Sequence, residues 1–185
     1  EKNIEIRNSK LFFNDIDDNN IFIFYIKKML SKYDIEDNTN NVNLDGQIFK
    51  IPIKIIWKKD FNDLNKVLRI NLKKINIDLV NKSIFNDGKY SYQNELSILN
   101  SKLRTNYEIL NNTIKFKSNQ SIIKNTPINF QGNFDIKPLF INAILEAKSF
   151  DLNYFLKNSN WFDVFIKSKF IQNENLNGKI FIKSK

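Results

Sequence analysis

Cysteine and histidine are both absent from this 185-residue chain. Their absence removes thiol nucleophiles, imidazole bases, zinc sites built from these residues, and the Ser-His-Asp triad. The carboxylates are dispersed, and pairs such as Asp17-Asp18 and Glu36-Asp37 lie in polar segments without an apolar surround that would suit acid–base catalysis. We therefore expect a protein that is not an enzyme and that needs no cofactor.

Long apolar runs are missing as well. No stretch approaches the ~20 apolar residues that a transmembrane helix needs, and no charged-then-apolar signal peptide opens the chain. The chain starts at Glu1 rather than at Met, so we expect a piece of a longer protein, in which an anchor or signal could lie upstream of Glu1. Its length suits one domain or one segment of a repetitive protein. The lack of cysteine is compatible with a reduced cytosol and with a disulfide-free periplasmic fold.

The net charge of +9 raises the question of a nucleic-acid or anionic-membrane partner. The lysines are scattered singly along alternating segments instead of forming a block, which favours a solvated face and makes nucleic acid an unlikely partner. Asp15, Asp17 and Asp18 lack the glycine and the distant glutamate of a calcium loop, so they indicate turn chemistry and no metal site.

Alternation of apolar and polar residues is the main pattern that is present. Between Gln47 and Lys59 one face carries an apolar stripe, whose members are Phe49, Ile51, Ile53, Ile55 and Trp57. The other face is rich in lysine and includes Pro52. This pattern predicts one strand of about 35 Å that follows a turn at Leu44-Asp45-Gly46.

A second alternating region runs from Ile128 to Asn158. It predicts a strand over Ile128–Ile136, a break at Lys137-Pro138, and a longer strand over Leu139–Ala147. We expect the two strands to pair antiparallel. The dry face of the second strand would then carry Leu139, Ile141, Ala143 and Leu145.

The remaining segments predict a meander of antiparallel strands with Asn-rich turns. The predicted connections are a hairpin at Asn8-Ser9, a mobile polar loop and possible sub-boundary at residues 34–43, a β-bulge at Lys73-Lys74, and turns at Asn86-Asp87-Gly88 and Asn111-Asn112. Residues 27–33 are compatible with strand or with a helical turn.

One or two short helices are predicted near residues 151–170, forming a helical junction over residues 151–171. Asp151 is a suitable N-cap for the first helix. The second places four apolar side chains at helical spacing, namely Trp161, Phe162, Phe165 and Ile166. Packing against the sheet or its end, and contact with a membrane surface, are both compatible with this pattern.

A short motif recurs along the chain. Residues 44–49 and 176–181 share the pattern L-[D/N]-G-x-I-F, and residues 131–136 are a looser third copy. With residues 132–138 leading into Leu139–Ala147, and Phe150-Asp151-Leu152 after them, the chain from Leu44 to Lys185 resembles the AsmA-like family of bacterial envelope proteins, which includes the TamB and YhdP relatives.

The resemblance implies a mainly β fold: a long, curled antiparallel sheet that forms a repeating groove, with an apolar concave face able to hold phospholipid acyl chains. It also implies a place on the periplasmic side of the inner membrane of a Gram-negative bacterium, behind an anchor outside this segment, and a role in phospholipid transport between the inner and outer membranes. The family carries no catalytic residues into this chain.

Two outcomes for the apolar stripes follow from alternation alone. If a second sheet or the helices cover them, they are the core of a structural or protein-interaction domain. If the sheet curls and stays open, the stripes on residues 49–57 and 139–145 line a lipid groove.

Overall fold

The structure, a computed structural model, describes residues 2–14, 20–99, 101–123, 125–136, 140–147 and 177–184. Within these ranges most residues lie in β-strands, and the only helical element is a 3-10 turn at Lys73–Ile75. The described strands are β1 (Lys2–Asn14), β2 (Asn20–Asp34), β3 (Thr39–Ile48), β4 (Ile51–Asp60), β5 (Lys66–Leu72), β6 (Ile77–Asn86), β7 (Lys89–Ile98), β8 (Ser101–Leu110), β9 (Thr113–Ser118), β10 (Ser121–Ile123), β11 (Thr126–Asp135), β12 (Phe140–Ala147) and β13 (Asn177–Ser184). The mainly β fold predicted from alternation is confirmed. The helices predicted near residues 151–170 lie outside the described residues.

The strands form one sheet whose neighbours follow the chain order. Each strand from β1 to β8 pairs antiparallel with the next, as in the predicted meander. Strands β9 and β10 together fill one position between β8 and β11, since both pair with both neighbours. The extended conformation is interrupted between β9 and β10 near Gln120, which has a φ of 52°.

The far edge of the sheet departs from a meander. Strand β13 pairs parallel with β12, from Phe140 opposite Asn177 to Ala147 opposite Ser184. The sheet is therefore mixed, although antiparallel pairs dominate. Parallel neighbours need a crossover connection, which no alternation within a single strand can reveal.

The prediction of one long strand over residues 47–59 is wrong. Strand β3 ends at Ile48, Phe49 and Lys50 both have positive φ (50° and 62°), and β4 starts at Ile51. Two consecutive left-handed residues form a tight two-residue hairpin. Phe49 therefore lies in the turn and is not part of the apolar stripe.

The turn predicted at Leu44-Asp45-Gly46 lies inside β3. Gly46 is required there by a close approach and not by a turn. A side chain at position 46 would meet the Tyr25 carbonyl and the ring of Phe24, whose edge would be 3.2 Å away. The glycine allows Phe24 to pack across β3.

Three other connections also differ from the sequence predictions. At Lys73-Lys74 there is no bulge within one strand: the 3-10 turn and Asn76, with a φ of 53°, reverse the chain into β6. Strand β1 continues through Asn8-Ser9 without a hairpin, although Asn8 has a φ of 50°. The polar loop predicted at residues 34–43 is only a four-residue turn, because β3 starts at Thr39.

Several predictions are confirmed. Turns connect β6 to β7 at Asp87-Gly88 and β8 to β9 at Asn111-Asn112. Residues 27–33, whose sequence is compatible with strand and with a helical turn, are strand in the structure and continue β2. Strands β11 and β12 pair antiparallel, from Ile128 opposite Ala147 to Asp135 opposite Phe140.

The described ranges contain no helix long and apolar enough to cross a membrane.

Candidate functional site

The register of the sheet separates two chemically different faces. Successive side chains along a strand point to opposite faces, and residues directly opposite each other on paired strands share a face. On β4, Ile53, Ile55 and Trp57 share one face, here called the apolar face. The neighbours Lys54 and Lys58 lie on the other, here called the polar face.

The apolar face carries the buried apolar side chains. Phe24, Ile26, Leu44 and Ile53 form a cluster across β2, β3 and β4. Half-buried side chains pack against this cluster, namely Ile6, Met29, Ile48, Ile55, Ile70 and Leu72. Toward the other edge of the sheet, Ile98, Ile128, Ala143 and Ala147 are also buried. The apolar face therefore has ordered packing at both ends of the strand series.

One line of apolar residues runs without interruption across strands β1 to β8. Starting from β1, each residue in the line stands directly opposite the next one on the following strand. The members, here called the apolar row, are Ile6, Met29, Leu44, Ile55, Ile70, Leu79, Leu96 and Leu103. At ~4.8 Å between strands the row is about 34 Å long. Leu44 is buried, and the other seven are partly accessible to solvent.

A second line on the same face has different chemistry. It runs four residues along β4 from the apolar row, at Lys59, which corresponds to about 13 Å. Its members, here called the polar rim, are Tyr33, Asn40, Lys59, Lys66, Ser83, Tyr92 and Tyr107, each opposite the next. The apolar face therefore carries apolar side chains along the apolar row and polar, aromatic and cationic side chains along the polar rim.

Tyrosines stack at one end of the polar rim. The rings of Tyr92 and Tyr107 are 4.9 Å apart with an interplanar angle of 18°, and Tyr90 stacks on Tyr92 at 5.9 Å. Partial burial, and then the two neighbouring phenols, raise the pKa of Tyr92, so this hydroxyl stays neutral over a wide pH range. The amide of Asn81 donates a hydrogen bond to the Tyr107 hydroxyl at 2.6 Å, bridging across β7.

Ion pairs form between side chains on the polar face. Glu95 accepts hydrogen bonds from Arg104 at 2.8 Å and from Lys102 at 3.0 Å, and these bonds hold its pKa below the usual range. These side chains are more than a third exposed, so the polar face resembles a solvated surface.

A cleft of about 920 Å³ lies at the ends of β7, β8 and β9. Its lining includes exposed residues of the polar face, such as Lys89, Gln93, Asn106 and Lys117. The same lining includes aromatic residues of the apolar face, namely Tyr90, Tyr92, Tyr107 and Phe116, so the cleft joins polar and aromatic surface.

The residues predicted to line a groove lie on one face but in two separate places. Ile51, Ile53, Ile55 and Trp57 are on β4, where Ile53 is buried and the other three are half-buried. Ile141, Ala143 and Leu145 are on β12, beyond β5 to β11 in the sheet. The prediction that they share the dry face of β12 agrees with their pairing with Phe134, Gly132 and Phe130.

Of the other predicted site residues, only Phe49 is among the described residues, and it is not part of this surface. Phe49 is in the β3–β4 turn, where its ring contacts Phe22 with centroids 5.7 Å apart. Leu139 and the predicted helix residues Trp161, Phe162, Phe165 and Ile166 lie outside the described residues. Sequence reasoning missed Leu79, Leu96 and Leu103 as site residues, although each lies in an alternating run that could have indicated it.

No family model, no curated protein and no solved structure matches the chain. The apolar row, the polar rim and the charged opposite face are therefore the basis for a functional hypothesis.

Proposed function

We propose that this chain is a non-enzymatic segment that binds phospholipid acyl chains along the apolar row. The observation that supports this most is the unbroken line of eight apolar side chains from Ile6 on β1 to Leu103 on β8. Seven of them are partly accessible to solvent, so an acyl chain laid along the row would remove further apolar surface from water.

The dimensions of the row suit an acyl chain. One leaflet of a bilayer is about 15 Å of hydrocarbon, half of the usual ~30 Å core. The row, at about 34 Å, could hold one such chain with length to spare. Each methylene transferred from water to an apolar surface contributes about 0.8 kcal/mol, so even partial contact along the row supports measurable affinity.

The resemblance to AsmA-like proteins supplies the cellular setting of the proposal. In this setting the segment lies on the periplasmic side of the inner membrane of a Gram-negative bacterium and is membrane-associated through an anchor outside it. Phospholipid then moves along successive strand units between the inner and outer membranes. The mixed sheet described above, with its apolar face and charged opposite face, is compatible with such a groove.

A structural or protein-interaction domain is the second candidate. The observation that favours it is the exposure of apolar residues on both outer strands: Ile4 and Phe12 on β1 are 63% and 57% exposed, and Ile180 on β13 is 61% exposed. Apolar edge strands are typical sites for pairing with another strand. In this alternative the apolar face is filled by the protein's own side chains or by a protein partner, with no lipid.

Two neighbouring residues of β4 offer a matched test. Ile55 belongs to the apolar row, whereas Ile56 is equally half-buried but lies on the polar face. We expect Ile55→Asn to weaken displacement of a fluorescent fatty acid by about tenfold, because it places an amide under the chain. Ile56→Asn should leave displacement near the wild-type value. Circular dichroism of both variants controls for folding.

Mass spectrometry of extracts from the purified chain completes this test. Recovery of phospholipid, together with the difference between Ile55→Asn and Ile56→Asn, would support the proposal. If no phospholipid is recovered and the wild-type chain displaces no fatty acid, the lipid-binding proposal is wrong and the structural alternative is favoured.

A further inference from the structure

Two lysines stand side by side on the apolar face. Lys59 on β4 and Lys66 on β5 are directly opposite each other in the register of the sheet. Like charges at directly opposed positions destabilise a sheet. The side chains of both lysines are only partly exposed, so water screens them less than it screens the charges of the polar face.

Aromatic rings, and not carboxylates, accompany these two ammonium groups. Lys59 Nζ lies 4.0 Å from the ring centroid of Phe61, and Lys66 Nζ lies 4.8 Å from that of Tyr90. Among the described residues neither lysine forms an ion pair. An aromatic face attracts a cation without neutralising its charge, so both charges remain available to an anion.

The acidic side chains of the β4–β5 turn, which adjoins both lysines in sequence, accept hydrogen bonds from within the turn. In the β4–β5 turn, Asp60 Oδ1 accepts a hydrogen bond from the backbone N–H of Asn62 at 2.8 Å. Asp63 accepts from the backbone N–H of Asn65 at 3.0 Å and from its side-chain amide at 2.7 Å. These bonds shape the turn, and the acidic residues do not ion-pair with Lys59 or Lys66.

Neutral donors flank the lysine pair in the same line. Asn40 stands opposite Lys59, and Ser83 stands opposite Lys66. The Asn40 side-chain oxygen already accepts a hydrogen bond from Ser31 Oγ at 3.3 Å, which leaves its NH₂ group as the donor. Ser83 is 8% exposed, so its hydroxyl is not presented to a ligand. Asn40, Lys59 and Lys66 are partly exposed, and their amide and two ammonium groups form a donor set that suits a phosphate group.

We infer that Lys59 and Lys66 bind the phosphate of a phospholipid whose acyl chain lies on the apolar row. This inference rests on the proposed function. The lysines lie about 13 Å along the strands from the apolar row, so a headgroup at the rim and a chain on the row can belong to one molecule. Bound phosphate also relieves the repulsion between the two opposed charges. The pair therefore selects lipids that carry a phosphate over uncharged lipids of equal chain length.

The test compares two soluble short-chain lipids with the whole chain. One is a phosphatidylglycerol, and the other is an uncharged monoacylglycerol of the same acyl length. In the double variant Lys59→Gln/Lys66→Gln we expect affinity for the phosphatidylglycerol to fall about tenfold or more, with affinity for the monoacylglycerol unchanged, because charge-assisted hydrogen bonds to phosphate are lost. Lys59→Arg/Lys66→Arg should largely restore phosphatidylglycerol binding.

The matched control removes two charges from the polar face. Lys58 on β4 and Lys82 on β6 are both exposed. They lie on either side of Val67 on β5. Lys58→Gln/Lys82→Gln should bind both lipids as the wild type does. An equal loss in this control would show that net charge, and not the rim, governs binding, and would overturn the inference.

The remaining outcomes separate this inference from the proposed function. If the wild type binds both lipids and Lys59→Gln/Lys66→Gln changes neither, the phosphate site is wrong while the acyl-chain site stands. If the wild type binds neither lipid, both proposals are wrong. If inorganic phosphate alone competes as well as the phosphatidylglycerol does, the rim binds free phosphate and the lipid assignment is overturned.

Discussion

Replacing Lys50 by glycine tests the position of the β3–β4 turn through the sign of its effect. Lys50 has a φ of 62° and is exposed. An L-residue in the left-handed region costs about 1–2 kcal/mol, and glycine avoids this cost. Glycine also lowers the free energy of unfolding by about 0.5–1 kcal/mol, because it has more conformational freedom in the unfolded chain. We expect Lys50→Gly to stabilise the protein by about 0.5–1 kcal/mol.

Equilibrium urea unfolding measures this effect. With a slope of about 2 kcal/mol per molar urea, the expected gain raises the unfolding midpoint by about 0.3–0.5 M. Lys54→Gly is the matched control, because it removes the same side chain from an exposed position inside β4. A glycine inside a strand costs stability, so the control midpoint should fall by a similar amount.

The opposite result would refute the turn. If residues 47–59 formed one continuous strand, Lys50→Gly and Lys54→Gly would both lower the midpoint by about the same amount. Phe49 is left unchanged in this test because its ring contacts Phe22, and losing that contact would obscure the backbone effect.

Three further predictions concern packing and pH. Ile128 is 2% exposed, so Ile128→Ala should lower the free energy of unfolding by about 2–5 kcal/mol in urea titrations, and a loss below 1 kcal/mol would contradict its place in the core. Gly132 faces Ala143 and the Phe116 ring, so Gly132→Val should lower the melting temperature, whereas a similar change at Gly88, where nothing lies within 4 Å, should act only through its positive φ. Arg104 and then Lys102 lower the pKa of Glu95, so the stability it contributes is present above its unfolded pKa and is lost as pH falls through the lower folded pKa. The advantage of the wild type over Glu95→Gln should therefore shrink on acidification from neutral pH, and an advantage that grew in acid would count against the ion pair.

Much of the strand content was predictable because alternation is a local property. Ile53 and Lys54 fall on opposite faces whatever the neighbouring strands are, and the structure places them so. The pairing of Ile128–Asp135 with Phe140–Ala147 was also predictable, since two alternating runs close in sequence favour a hairpin.

The turns were less predictable where they lack the usual residues. Asn86-Asp87-Gly88 and Asn111-Asn112 contain residues that tolerate positive φ, and both turns were found. Phe49 and Lys50 adopt positive φ without such a signal, so the sequence predicts a continuous strand where the structure has a hairpin. Gly46 gave the converse error, because close packing against Phe24 requires glycine as strictly as a turn does.

The sequence by itself determined that this protein is built from amphipathic strands, such as β4 with Ile53 and Ile55 on one face and Lys54 and Lys58 on the other, because side-chain direction in a strand has a period of two residues. It also excluded chemistry that needs cysteine or histidine. Only the tertiary structure decided which residues stand opposite each other. The alignment of Ile6 through Leu103 in one row, and the opposition of Lys59 and Lys66 in another, depend on the lengths of the turns and the register between strands. Register is a property of pairs of strands, so no pattern within a single strand contains it.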